Sequence, residues 1–297
     1  MNFVENWLPY ILAGISVGGQ YALIAIGYTM VYGILRLINF AHGDVFMWSG
    51  LIMIYLITVL PAWVSIIMVI AFAIILGCTI NQVAYKPLRS APRMSIMISA
   101  IGVSYFLQNI ALYATGGLTK TYPNTGILGW LQKTVNIGPA TTKMVTIVTP
   151  ILTIILVVLL VMLINHTKIG MAMRAVSRDF ETSSLMGIDI NRVITVTFVI
   201  GCFLAAIGSV LYFSNYTGVN PMSGSMPGLK AFVAAVFGGI GSIPGAVVGA
   251  FVIGICENII KGAGWTTFSD AFTFVLLIVI LMVKPTGLFG EKNIDKV

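Results

Sequence analysis

The chain has 297 residues, of which 58% are hydrophobic and only 8% are charged, with a mean hydropathy of +1.01. This apolar content excludes a water-soluble globular domain and predicts a polytopic membrane protein. The formal net charge of +7 does not indicate nucleic-acid binding, because basic residues of membrane proteins collect in cytoplasmic loops and report topology.

The predicted fold is an all-α membrane bundle. A membrane helix needs about 20 apolar residues, and Pro61 divides an uncharged tract that is too long for one helix. The predicted spans are 8–34, 45–60, 62–84, 95–115, 144–165, 193–214 and 269–283, with a broken apolar region over 229–260. We therefore expect about eight membrane segments in a single transmembrane domain over residues 1–297.

The longest charged interval lies within the loop 166–192, between the fifth and sixth spans. If 171–186 is one helix, one face carries Ala172, Ala175, Val176, Ser183 and Met186, and the other carries Arg174, Arg178 and Glu181. Gly187 is a natural helix stop. The pattern fits a helix lying on lipid head groups, and it fits a helix that docks on a soluble partner; the spacing alone does not decide between them.

Basic residues orient the chain. The KPLRSAPR loop at 86–93 and the 166–192 loop are rich in Lys and Arg and should be cytoplasmic, whereas 116–142 and 215–228 should face outside, as should the N-terminus. Lys284, Lys292 and Lys296 favour a cytoplasmic tail. That tail is consistent with the alternation only if the region 229–260 enters the membrane and returns.

The sequence FGGIGSIPG, residues 237–245, supports such a return. Four glycines and a proline within nine residues are too many for a continuous helix. Irregular backbone at membrane depth survives only when it is buried in protein or faces a water-filled cavity. We therefore interpret this break as a candidate part of the transport pathway, through Gly238, Gly239, Gly241, Pro244 and Gly245.

A weaker break, LRLINFAHGDVFMW, occupies residues 35–48 and contains Asn39, His42, Gly43 and Asp44. One break in each half of the chain is typical of the inverted repeats of transporters. His42 and Asp44 are two residues apart and so do not share a helical face. We therefore interpret them as a polar cap at the cytoplasmic interface rather than as a catalytic pair.

Three further features bear on chemistry. Glu257 could couple protons, but the favoured interpretation is an ion pair with Lys261 four residues on. Cys78, Cys202 and Cys256 lie in apolar runs without CxxC spacing, so the sequence predicts buried thiols and neither a disulfide framework nor a metal site. GGIGSIPG lacks the Lys-Ser/Thr ending of a phosphate-binding loop, so any ATP should bind to another chain.

Three blocks of sequence, in this order, carry a resemblance to a known family: YALIAIGYTMVYGILRLINFAHGD (21–44), GMAMRAVSRDFETSSLMGIDINRVI (170–194) and GLKAFVAAVFGGIGSIPGAVVGAFVIG (228–254). They closely resemble the permease subunits of bacterial ABC importers for branched-chain amino acids, in particular the shorter, LivH-type member of the usual pair. The resemblance implies alternating-access import of leucine, isoleucine or valine across the inner membrane. Permeases of the same family for urea or short amides, and an ion-coupled secondary transporter, are the alternatives.

The resemblance also implies partners: a second, LivM-type permease, two cytoplasmic ATPase subunits that hold ATP and Mg²⁺, and an external substrate-binding protein. It implies no cofactor bound by this chain, no enzymatic activity of its own, and no nucleic acid. In that family a G-x-x-x-R-A…G-I stretch couples to the ATPases, and it maps here to Gly170, Arg174, Ala175, Gly187 and Ile188. The resemblance therefore favours docking for the 166–192 loop, although Thr182, Ser183 and Ser184 stand where relatives often carry alanines.

Overall fold

A computed structural model describes residues 3–89, 91–138 and 140–290, and within them the chain forms twelve α-helices and four short strands. The helices are α1 (Phe3–Leu35), α2 (His42–Ile57), α3 (Ala62–Ile80), α4 (Arg93–Thr115), α5 (Gly126–Gln132), α6 (Met144–His166), α7 (Lys168–Arg178), α8 (Phe180–Leu185), α9 (Ile190–Asn215), α10 (Ser225–Gly238), α11 (Ile243–Gly262) and α12 (Ser269–Val283). The strands are β1 (Lys120–Thr121), β2 (Thr134–Ile137), β3 (Ala140–Lys143) and β4 (Gly218–Val219). A π-helical turn (Asn81–Tyr85) and 3₁₀ turns (Lys86–Leu88, Thr266–Phe268) complete the regular structure.

Seven helices of the described ranges are long and apolar enough to cross a membrane, and α2 and α10, with 16 and 14 residues, are shorter apolar helices. The long ones are α1, α3 with its continuation to Leu88, α4, α6, α9, α11 and α12 with the preceding 3₁₀ turn. The predicted all-α membrane bundle is confirmed. The predicted 45–60 span corresponds to α2. Because α2 has only 16 residues, it is not among the seven helices that are long enough to cross a membrane.

The bundle is built around α1. In its most apolar stretch 72% of the residues are buried, against 17% for α6 and 11% for the span that contains α12. Gly14 and Gly18 allow α11 to pack directly on α1, because a Cβ on Gly14 would lie 2.8 Å from Cα of Ile255. Peripheral helices such as α6 and α12 instead present apolar side chains outward, as a lipid-facing surface requires.

The predicted break in 229–260 is confirmed: α10 ends at Gly238 and α11 begins at Ile243. The two helices run antiparallel in backbone contact, since a Cβ on Gly249 would lie 2.3 Å from the carbonyl oxygen of Ala234. Ser242 caps α11 by accepting a hydrogen bond from the Gly245 amide at 3.2 Å. The chain therefore enters, turns and returns, as the sequence predicts.

The segment after α12 lies against this turn. The amides of Leu288 and Phe289 donate to the carbonyl oxygens of Phe237 and Gly238, each at 2.9 Å. We call the end of the bundle that holds residues 239–242 the turn end. The predicted basic tail residues Lys292 and Lys296 lie outside the described residues.

The opposite end, here called the strand end, carries both loops that the sequence places outside. The connection 116–142 forms α5 and the hairpin β2–β3, in which Thr134 pairs with Lys143. Its first strand, β1, pairs with β4 from the 215–228 loop, with Lys120 opposite Val219. The two loops therefore share one end of the molecule, in agreement with their assignment to the same side of the membrane.

Candidate functional site

The charged interval forms two helices, α7 and α8, rather than the single helix predicted over 171–186. The break falls at Asp179, whose backbone is extended and whose Oδ1 accepts hydrogen bonds from the amides of Glu181 and Thr182 at 2.9 and 3.2 Å. An aspartate that caps a new helix ends the previous one. The side-chain hydrogen bond from Thr182, assisted by these amides, lowers the pKa of Asp179 below its ordinary value.

We call Lys168–Leu185 the coupling segment, after the role that the sequence resemblance implies for it; its inward face is formed by glycine, apolar and hydroxyl residues. Gly170, Met173, Val176 and Ser183 are buried, whereas Met186, predicted on the same face, is 79% exposed. Gly170 is required by sterics, because a Cβ there would lie 2.2 Å from the carbonyl oxygen of Ile164. The segment therefore folds back tightly on the last turn of α6, and Thr167 caps it by accepting from the Gly170 amide at 3.1 Å.

The outward face is basic and apolar. Arg174 is exposed and its guanidinium donates to Asn165 at 2.9 Å, while Ala175 beside it is half-buried. The same segment and the residue that follows it also carry exposed large apolar side chains: Ile169, Met171, Phe180, Leu185 and Met186. Exposed apolar side chains next to cationic ones are typical of a protein-binding surface.

Gly187 and Ile188 determine how the coupling segment joins α9. Gly187 has φ +82°, the left-handed conformation that favours glycine at a helix end. Its amide donates to Ser184 at 3.0 Å and the Ile188 amide donates to Ser183 at 3.1 Å, which satisfies the last carbonyls of α8. Ile188 is half-buried against the core, so the junction is tied to the bundle.

The coupling segment also contacts the junction between α1 and α2. Arg36, which has φ +55°, follows the last residue of α1 and donates to the carbonyl oxygen of Ser177 at 3.5 Å. Arg89 of the second basic loop bonds Asn191 at the start of α9 and Asn81 at 3.2 Å. Both loops predicted to be cytoplasmic therefore lie at the same end of the bundle.

The first break places its polar residues inside the protein. Asn39 is buried and accepts a hydrogen bond from the Tyr85 hydroxyl at 2.9 Å. His42 packs edge-on to Tyr28, with ring centroids 5.0 Å apart, whereas Asp44 accepts from Gln108 at 2.9 Å. His42 and Asp44 therefore have different partners, as expected for residues that do not share a helical face.

The interpretation of these two residues as a cap at the membrane interface is wrong. His42 and Asp44 are each 2% exposed, and the residue that caps α2 is Ala41, which makes no side-chain capping bond. Local sequence indicated a polar helix start but could not show that the neighbouring helices enclose it.

Gly43 brings the starts of the two short helices together. A Cβ on Gly224 would lie 2.0 Å from the carbonyl oxygen of Gly43, and a Cβ on Gly228 would lie 3.0 Å from the Cα of Gly43. Gly43, Gly224 and Gly228 are all buried. The first turns of α2 and α10 therefore touch backbone to backbone inside the bundle.

The second break lies beside the end of α1. Gly238 and Gly245 contact each other across the hairpin, and Gly239, with φ +107°, lies against Gly290. Gly241 has φ +99° and is exposed, as is Pro244.

The two breaks approach each other at the turn end. Tyr32 near the end of α1 and Ile38 of the first break line a small space together with Ala235 and Ile240 of the hairpin. A Cβ on Gly33 would lie 3.8 Å from Cα of Gly241. The structure thus brings together the two segments that the sequence predicted as the pathway.

A buried ionic cluster was missed by sequence reasoning. The predicted pair is present, with Lys261 Nζ 2.6 Å from Glu257 Oε1, but Glu257 is buried rather than interfacial. Lys230 of α10 lies 2.8 Å from the same oxygen and 2.6 Å from Asp270 Oδ1. Tyr21 donates to Glu257 Oε2 at 3.0 Å. A lysine inside an apolar helix was the signal that could have found this cluster.

All three cysteines are free thiols; Cys202 is buried as predicted, whereas Cys78 and Cys256 are only half-buried. Among the residues that the structure describes, no three His, Cys, Asp or Glu side chains come together in a way that could hold a metal ion.

A bundle with seven apolar helices of membrane-spanning length defines a multi-pass membrane protein. The family described as branched-chain amino acid transport system / permease component matches residues 10–281. The chain belongs to this family of transport permeases, and the resemblance seen in the sequence is confirmed.

Individual relatives match this chain over nearly its full length. The high-affinity branched-chain amino acid transport system permease protein LivH of Escherichia coli (strain K12) is 39% identical over 302 residues, 98% of each chain. The corresponding permease protein BraD of Pseudomonas aeruginosa is 38% identical over 307 residues, 100% of each chain. The ribose import permease protein RbsC of Escherichia coli (strain K12) is 22% identical over 95% of this chain and 86% of its own length. No solved structure matches.

Proposed function

We propose that this chain is the permease subunit of a bacterial ABC importer that moves leucine, isoleucine and valine into the cell. The names of its relatives support the substrate class. The observation that carries the mechanism is the coupling segment, which presents an exposed basic and apolar face and contacts the α1–α2 junction through Arg36 and Ser177. The whole chain then acts as one transmembrane permease domain with its coupling loop at 166–192.

The proposed partners are a second, LivM-type permease, two cytoplasmic ATPase subunits and an external substrate-binding protein, in the bacterial inner membrane. ATP and Mg²⁺ bind to the ATPases. The outward face around Arg174 and Ala175 is the docking surface for an ATPase, while Gly170, Gly187 and Ile188 hold that surface in place.

Transport proceeds by alternating access. ATP binding closes the ATPases and moves the coupling segment, which is packed on α6 through Gly170 and connected to α9 through Gly187. The movement reaches the α1–α2 junction at Arg36, next to the turn of the α10–α11 hairpin. Packed elements with two discrete arrangements carry such a shift. The pathway runs between the two breaks, through Asn39, His42, Gly43 and Asp44 on one side and Gly238–Gly245 on the other.

An ion-coupled secondary transporter would need a carboxylate that exchanges protons inside the membrane. Glu257 instead lies within 2.8 Å of two lysine ammonium groups, Lys230 and Lys261, and these contacts favour an ion-pairing role in structure or binding.

The test is purification of the tagged chain from its host in mild detergent, followed by mass spectrometry and reconstitution in proteoliposomes. Recovery of a second permease and two ATPases, with leucine uptake that needs ATP and the binding protein, is the expected result. Recovery of this chain alone, with uptake that survives ATP depletion, would refute the importer. Uptake of urea or short amides in place of leucine would correct the substrate.

A further inference from the structure

A polar cavity of about 310 Å³ lies where α10 and α12 begin and α11 ends. Its walls include Tyr212 and Tyr216 from the end of α9 and Met226 and Pro227 from the first turn of α10. The cavity is therefore at the strand end, away from the coupling segment and from the turn between α10 and α11.

Four charged side chains line the cavity as a continuous chain, in the order Lys261, Glu257, Lys230, Asp270. Consecutive charges lie 2.6, 2.8 and 2.6 Å apart. The inner members are enclosed, with Lys230 6% and Glu257 2% exposed, whereas Lys261 and Asp270 are 27% and 47% exposed. Two positive and two negative charges make the lining electrically balanced.

Such a cluster is not explained by stability alone. Ion pairs withdrawn from water are often no more stable than apolar residues of similar volume, because desolvation offsets their attraction. Charged groups inside membrane proteins usually mark substrate or ion pathways. Here the charges also line a space large enough for a small ligand, since ligand pockets are about 300–1,000 Å³.

We propose that this cavity binds one zwitterionic aliphatic amino acid inside the permease, on its way from the external binding protein. The ligand inserts between Lys230 and Asp270: its α-carboxylate takes the lysine ammonium, and its α-ammonium takes the aspartate carboxylate. Lys230 and Asp270 each lose one partner and gain another, so the cluster remains electrically balanced. This inference rests on the proposed function, because it names the site at which the transported amino acid is held.

The remaining walls suit the rest of the ligand. The Tyr212 and Tyr216 rings lie 4.8 Å apart and, with Met226 and Pro227, offer an apolar surface to an aliphatic side chain. Burial and the nearby Glu257 carboxylate raise the pKa of Tyr216 to about 12, so its hydroxyl remains a proton donor. A ligand with net charge would leave the otherwise balanced cluster with an uncompensated net charge in a largely enclosed site, which disfavours the binding of cations and anions.

Binding of labelled L-leucine to the purified complex in nanodiscs, without the external binding protein, tests the site. Asp270→Asn and Lys230→Met should weaken binding about ten- to a hundredfold, the range expected for one charge-assisted contact. Lys133→Gln, which removes an exposed charge from another strand-end loop, is the matched control and should bind as wild type does. Leucinamide, a cation, and 4-methylpentanoate, an anion, should not compete.

Because Lys230→Met removes a buried charge, the half-exposed Asp270→Asn is the decisive variant, and gel filtration confirms that each complex is assembled. Wild-type affinity in Asp270→Asn, or absence of leucine binding to the wild-type complex, would overturn the inference. Binding-protein-dependent leucine uptake, measured in parallel, reports on the proposed function separately: uptake without binding at this cavity refutes only the site, and binding without uptake refutes only the importer.

Discussion

Lys230 of α10 and Glu257 of α11 form an ion pair at 2.8 Å, with side chains that are 6% and 2% exposed. The pair joins the two arms of the hairpin at the end opposite its turn. Each charge also contacts another helix, because Lys230 reaches Asp270 of α12 and Glu257 accepts from Tyr21 of α1. One cluster therefore connects four helices.

Removing one member of this pair should destabilise the bundle more than removing both. Glu257→Met leaves the buried ammonium of Lys230 with one counter-charge fewer, at a cost of about 3 kcal/mol, while Lys230→Met/Glu257→Met should recover most of the loss. Thermal unfolding in detergent measures the difference. Lys261→Met, in a more exposed position, should cost about 1 kcal/mol or less. A Glu257→Met variant that is as stable as the wild type would contradict the prediction.

Gly43→Ala should impair assembly of the bundle. The new Cβ would lie 2.7 Å from the carbonyl oxygen of Gly224, where the first turns of α2 and α10 touch, and overpacking of this kind costs about 1–3 kcal/mol. Gly102→Ala is the matched control, because nothing lies within 4 Å of its Cβ position. Expression yield and unfolding temperature measure the effect. Equal behaviour of the two variants would show that α2 and α10 do not pack in this way.

Gly187→Leu should separate ATP hydrolysis from uptake. Leucine disfavours φ +82°, at about 1–3 kcal/mol, and the strain should reorient α8 relative to α9. Gly116→Leu introduces similar strain at φ +65° in the connection at the strand end, and should leave the ratio of ATP hydrolysed to leucine transported unchanged. That ratio in proteoliposomes is the measurement. A changed ratio in both variants, or in neither, would argue against a coupling role.

Arg174→Glu should weaken attachment of the ATPases and leave the permease folded. The side chain is exposed and bonds only Asn165 among the described residues, so the reversal alters surface charge rather than packing. Co-purification of the ATPases, and uptake, should both fall. Arg174→Gln serves as the intermediate case and should retain part of each. Full recovery of ATPases with the Glu variant would place the docking surface elsewhere.

The cap at Asp179 should make the start of α8 sensitive to acid. Its folded pKa is depressed, so the capping contribution is complete above the unfolded pKa of about 3.9 and is lost as pH falls through the lower folded pKa. Hydrogen exchange of the Glu181 and Thr182 amides, corrected for intrinsic rates, should show protection that declines below about pH 4. In Asp179→Ala the protection should be low at every pH. Protection that does not change with pH in the wild type would exclude the cap.

Several local features of this molecule could be predicted because each depends on a few consecutive residues. The length of an apolar run sets where a helix crosses, and the Gly–Pro cluster at 237–245 sets where the hairpin turns. The pair Glu257–Lys261 follows from i,i+4 spacing. The cap at Asp179 is also local, and it was missed because a continuous amphipathic pattern over 171–186 favoured one helix.

The amino-acid sequence by itself determined the membrane spans, the turn between α10 and α11, and the family to which the chain belongs. Only the tertiary structure decided which polar groups meet. Lys230 forms an ion pair with Asp270 because α10 and α12 begin at the same end of the bundle. Gly43 contacts Gly224 because the short helices α2 and α10 start side by side. Burial of His42 and Asp44 likewise depends on neighbours distant in the chain. The spacing of apolar residues in the sequence predicts each helix separately, whereas the contacts between helices depend on how the whole chain packs.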